Sequence, residues 1–117
     1  MAGIINISEK LSWKAANWAY WSLMDHLIDA FAGNPEVARR VEGCKWMQSL
    51  SIPLLREDDP ESAQSILAKL KDVAEQCAAG DLACAVEGKS FDENSQLQFR
   101  ESMSSLIKIL NDREQCN

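Results

Sequence analysis

Apolar positions recur along this chain at spacings of three and four residues, and prolines, glycines and small polar residues cut the pattern into segments. The clearest segment is the run in which Ala63, Ile66, Leu67, Leu70, Val73, Ala74 and Cys77 share one helical face. Asp59-Pro60-Glu61 supplies its cap, its first-turn proline and an acid at the positive end, and Gly80 supplies a stop. Upstream, Ser8 is read as the cap of a long helix running to about Ala32 and closed by Gly33. Asn34-Pro35-Glu36 opens a second helix that should end before Pro53, because proline lacks the N–H that continuation needs. LLREDD is then a linker.

Beyond Gly80, Asp81 is placed to cap a short helix, LACAVE, ending at Gly88. Ser90-Phe91-Asp92-Glu93 matches a capping box at the head of a last long helix carrying Phe99, Met103, Leu106, Ile107 and Leu110. No stretch alternates with period two for long enough to argue a strand. The pattern therefore predicts an all-α fold, an antiparallel bundle of four main helices plus one short helix, with residues 1–117 forming a single helical domain.

Length and composition narrow this without changing it. At 117 residues the chain holds one core, and 46% hydrophobic with 26% charged residues is an ordinary globular balance. There is no repeat and no low-complexity tract. No apolar run approaches the roughly 18 residues of a membrane span, and MAGIINISEK lacks the features of a signal peptide, so a cytoplasmic location without membrane association is expected. Residues 1–52 hold five acids and five bases, whereas residues 53–117 hold thirteen acids and seven bases, so the whole net charge of −6 lies in the second part. That surface disfavours nucleic acid and favours a basic partner.

The aromatic residues are distributed unevenly. WKAANWAYW, residues 13–21, contains three of the four Trp and the only Tyr. On a helical wheel Trp13, Ala16, Tyr20, Leu23, Met24, Leu27 and Phe31 form one face, widened by Trp21 and Ile28, but Trp18 falls nearly opposite, beside Leu11 and Ala15. In the second helix Val37, Val41, Cys44 and Ile52 form a stripe, while Trp46 and Leu50 lie on the other side near Arg39. With Trp18 about fifteen residues before the turn and Trp46 about twelve after it, an antiparallel hairpin sets the two level at 1.5 Å per residue. Gly43, one turn from Trp46, suggests a bulky approach. Trp18 is either packed under its own chain, or part of an exposed interaction patch with Leu11, Trp46 and Leu50, or the wall of a small-molecule pocket.

Candidate chemistry is sparse. Asp25, His26 and Asp29 form the best catalytic-looking group, since residues four apart share a face, but one His offers no Glu-x-x-His metal pair. Dinucleotide, phosphate-loop, zinc-protease and calcium-loop motifs are missing from the sequence, and Cys44, Cys77, Cys84 and Cys116 contain no C-x-x-C pair. Cys77 and Cys84 flank the turn at Gly80 and are either reduced or bridged. No catalytic residue, metal or cofactor is assigned. The expected function is a non-enzymatic protein-binding module of inhibitor, immunity or adaptor type, acting on itself as a homodimer or on a basic protein, through Leu11, Trp18, Trp46, Leu50 and Arg39. The alternative is a sensor or carrier with an aromatic pocket between helices for a small apolar ligand.

Overall fold

The structure, a computed structural model, describes residues 2–86 and 89–115. The elements run β1 (Ala2–Asn6), β2 (Ser12–Ala16), α1 (Asn17–Ala30), α2 (Pro35–Met47), β3 (Ser49–Ser51), α3 (Ile52–Asp58), α4 (Pro60–Ala79), β4 (Ala85–Val86), β5 (Lys89–Ser90) and α5 (Glu93–Gln115). A three-stranded mixed sheet of order β2-β1-β3 therefore stands beside the helices, with β1 antiparallel to β2 and parallel to β3, and β4 pairs with β5 as a short hairpin. This overturns the all-α expectation. The chain is a mixed α/β protein, and its helices do not constitute a bundle by themselves.

The correction has three local causes. Ser8 caps a turn rather than a helix: its Oγ accepts from the backbone N–H of Leu11 at 3.1 Å and of Lys10 at 3.3 Å, so the chain reverses between β1 and β2. Trp13 and Ala16 fall on the helical wheel only by coincidence of spacing, because Trp13 pairs with Ile5 in the sheet. Strand β2 then runs straight into α1, whose N-cap, Ala16, makes no side-chain capping hydrogen bond, so nothing in the residue types marks the boundary.

In α2 the helix ends early, at Gln48, which adopts the left-handed conformation with φ 58°. Leu50 then enters β3, where it is paired with Ile5 and fully buried. Pro53 does not terminate a helix but opens one. Ser51 Oγ accepts from Leu54 N–H at 3.4 Å and Pro53 sits in the first turn of α3, so most of the expected linker is helical. Residues 82–86 of the expected short helix are not helical, and Gly88 lies outside the described residues. The α5 cap is Asp92, whose Oδ1 accepts from Ser95 N–H at 2.8 Å, while the side chain of Ser90 lies outside the described ones.

Helix α4 follows its pattern closely. Asp59 Oδ1 caps it at 3.2 Å from Ser62 N, Gly80 closes it with φ 88°, and the apolar stripe from Ala63 to Cys77 is buried apart from the half-buried Leu67. The core joins this stripe to Phe99, Met103, Leu106 and Leu110 of α5, to Tyr20, Leu23, Met24 and Leu27 of α1, and to Ile5, Trp13 and Leu50 of the sheet. Two contacts lock sheet to helices. Trp13 Nε1 donates to Ser102 O in α5 at 3.1 Å, and the Tyr20 ring lies against Gly3 so closely that a Cβ there would fall inside it.

Candidate functional site

Helix α1 presents three stripes, and each meets a different neighbour. The first, through Tyr20, Leu23, Met24 and Leu27, enters the core, where Tyr20 Oη donates to Cys44 O at 2.7 Å. Burial, and secondarily the nearby Cys44, raises the Tyr20 phenol above its ordinary range.

The second stripe, Trp18, Ser22 and His26 at i, i+4 and i+8, is met by Ala83, Ala85 and Phe91. Trp18 packs on Phe91 with ring centroids 5.4 Å apart, Ser22 Oγ accepts from Ala85 N–H at 3.0 Å, and His26 Nε2 lies 2.7 Å from Ala83 O. A carbonyl only accepts, so Nε2 is the donor in this contact. From the far side Gln96 of α5 ties the same segment: its Oε1 accepts from Cys84 N–H at 2.7 Å and its Nε2 donates to Cys84 O at 2.9 Å. The short β-hairpin is thus bolted to two helices. Trp18, which sequence reasoning singled out, is half-buried under its own chain.

The third stripe, Asn17, Trp21 and Asp25, faces α2. Trp21 and Trp46 meet edge to face, with centroids 5.1 Å apart at 77°. Lys45 Nζ lies 4.9 Å from the Trp21 centroid, 5.5 Å from that of Trp46, and 2.7 Å from Asp25 Oδ1. Two rings at near right angles and a carboxylate thus surround one ammonium. The partly exposed ion pair contributes at most about 1 kcal/mol, and each cation–π contact about 0.5–1 kcal/mol. Trp21 Nε1 and Asn17 Oδ1 are buried with no hydrogen-bond partner among the described residues.

Outward from this corner the surface is open. Trp46 is 61% exposed and Met47 76% exposed, and both follow Arg39 and Gly43 on the free side of α2. A Cβ on Gly43 would meet nothing within 4 Å. Of the five expected site residues, Trp46 and Arg39 therefore share an exposed helix face. Leu50 lies in the core and Trp18 under the hairpin. Leu11 lines a separate groove of about 650 Å³ with Pro53 and Arg56. Trp46 and Trp18 do not stack on each other, as helix levels suggested; α1 turns Trp21 toward α2 instead. Sequence reasoning placed Trp21 with the core and passed over Lys45 and Met47. The available signal was the Asp25–Lys45 charge complementarity across a predicted helical hairpin.

Elsewhere the chemistry is quiet. Asp25 is engaged by Lys45 and His26 by a backbone carbonyl, while His26 and Asp29 border a groove of about 250 Å³ with Lys69 and Asp72. Among the described residues no group of three His, Cys, Asp or Glu is arranged to hold a metal, and no helix is long and apolar enough to cross a membrane. Among the described residues Cys44, Cys77 and Cys84 are free thiols; burial, reinforced by Cys84 nearby, pushes the Cys77 thiol up to about 12. A groove of about 480 Å³ runs between Arg56, Pro60, Leu67, Lys71 and Leu110, and none of the three grooves is lined by Trp, Tyr or Phe. No family model matches this sequence, and neither a curated protein nor a solved structure matches it.

Proposed function

We propose that the protein is a non-enzymatic protein-binding module whose contact face is the outward side of α2, comprising Arg39, Gly43, Trp46 and Met47. The observation that carries this reading is the pair of adjacent large apolar side chains, Trp46 at 61% and Met47 at 76% exposure, beside a helical glycine that leaves room for close approach. Exposed Trp and Met with a flanking Arg make up the side-chain set enriched in binding hot spots. Gly43 also costs its helix about 1 kcal/mol relative to Ala. A partner backbone seated against α2 explains why so poor a helix former occupies an exposed, uncrowded position.

The partner is a basic protein that reaches from the α2 face to residues 53–117, where the whole net charge of −6 lies, and the free thiols are compatible with a reducing cytoplasm. The test is photocrosslinking in the native host from p-benzoyl-phenylalanine placed at Met47, with Gln64 on α4 as the control position. A discrete protein adduct from position 47, absent from position 64 and lost with Trp46→Ala, supports the reading. Identical adduct patterns from both positions, or none from position 47, refute it.

A further inference from the structure

The corner formed by Trp21, Trp46, Asp25 and Lys45 has the geometry of a cation-recognition site already occupied from within. An ion pair between two helices needs no aromatic walls, yet here Lys45 Nζ sits within cation–π range of two rings, 4.9 and 5.5 Å from their centroids, while bonded to Asp25 at 2.7 Å. The two rings are set at 77°, so they wall the charge on two sides, and the carboxylate closes a third. One wall is open to the outside, because Trp46 stands mostly clear of the protein and Met47 lies beside it. The cation inside is also the one best suited to leave. A Lys side chain is a flexible four-carbon stem that regains rotamer freedom when released, and its ammonium is strongly hydrated.

We propose that this corner binds an ammonium or guanidinium side chain of a protein partner, and that Lys45 is a resident occupant which the incoming Lys or Arg displaces. The inference rests on the protein-binding reading and specifies what the partner contributes: a basic side chain inserted between Trp21 and Trp46, with apolar contacts to Met47 around it. The exchange of one cation for another leaves the charge of the site unchanged. Selectivity then comes from the shape of the corner, and the affinity of the whole partner comes from the surrounding face of α2. A neutral side chain of the same length gains neither the carboxylate nor the ring faces, and it leaves Lys45 in place.

The inference is tested on the purified protein without any partner, so its failure is separable from failure of the crosslinking experiment. N-acetyl-lysinamide, N-acetyl-argininamide and the neutral N-acetyl-norleucinamide are titrated at constant ionic strength against wild type, Lys45→Met, and Lys45→Met combined with Asp25→Asn, following the indole N–H signals of Trp21 and Trp46 by NMR. In Lys45→Met the two cationic probes should shift both signals saturably, about tenfold more tightly than in wild type and about tenfold more tightly than norleucinamide. Adding Asp25→Asn should weaken them again. Equal shifts by the cationic and neutral probes, or no saturable shift in a folded Lys45→Met protein, overturn the proposal. Should Lys45→Met fail to fold, wild type decides: lysinamide must move both indole signals where norleucinamide does not, and the absence of that difference overturns it equally.

Discussion

Trp18 packs on Phe91 across the junction of α1 with the β4–β5 hairpin, its ring centroid 5.4 Å from that of Phe91. The indole that a helical wheel sets opposite the core packs against a segment far away in sequence. Trp18→Ala should therefore lower stability by about 2 kcal/mol, less than for a fully buried Trp because Trp18 is only half-buried. Urea unfolding measures this. The Met47 photocrosslink should persist in the same variant under conditions where it stays folded.

Gly3 is required by the ring of Tyr20. A methyl group there collides with that ring, and Tyr20 is itself held by its hydrogen bond to Cys44 O, so the sheet backbone must shift. Gly3→Ala should cost about 2–3 kcal/mol, at the upper end of overpacking effects. In combination with Tyr20→Leu the two losses should fall short of additivity, because one change removes the obstacle to the other. Thermal unfolding of the four proteins of that cycle checks it.

Gly43 behaves in the opposite way. Its Cβ position is open and it lies in the interior of α2, so Gly43→Ala should raise stability by about 1 kcal/mol. If the face is used for binding as proposed, the same change weakens the partner crosslink from position 47. Denaturation and crosslinking yield are read on one preparation.

Two helix caps set an acid limb of the stability profile. Ser62, chiefly through its hydroxyl and then its backbone N–H, holds the Asp59 carboxyl below its ordinary 3.8, and Ser95, first through its N–H, does the same to Asp92. A folded-state value below the unfolded one means stability present above pH 3.8 and lost as the pH falls through the lowered value. Asn caps a helix as well as Asp does but does not titrate there, so Asp59→Asn with Asp92→Asn should flatten this limb while changing little at pH 7. Cys77 has the reverse sign: its thiol moves from 9.0 up to about 12, so the stability it contributes is intact below pH 9 and fades as the pH rises toward 12. Cys77→Ala should flatten that alkaline loss. Stability measured across pH decides both.

The amino-acid order by itself determined the elements that carry their own punctuation. Helix α4 was legible in full, since Asp59, Pro60 and Gly80 mark its ends chemically and a stripe of seven apolar residues marks its inner face. The start of α2 at Asn34-Pro35 and the bulk of α5 were legible for the same reason, because caps and periodicity are local properties. The sheet was decided only by the tertiary structure. Residues 12–16 continue the helical spacing of α1 and no side chain marks the junction, so only backbone pairing with β1, itself parallel to the distant β3, selects the extended form. The fate of the aromatics was likewise nonlocal. Trp18 was covered by Phe91 and Trp21 became a wall around Lys45 because packing, which joins residues far apart in sequence, chooses which helix face meets which neighbour.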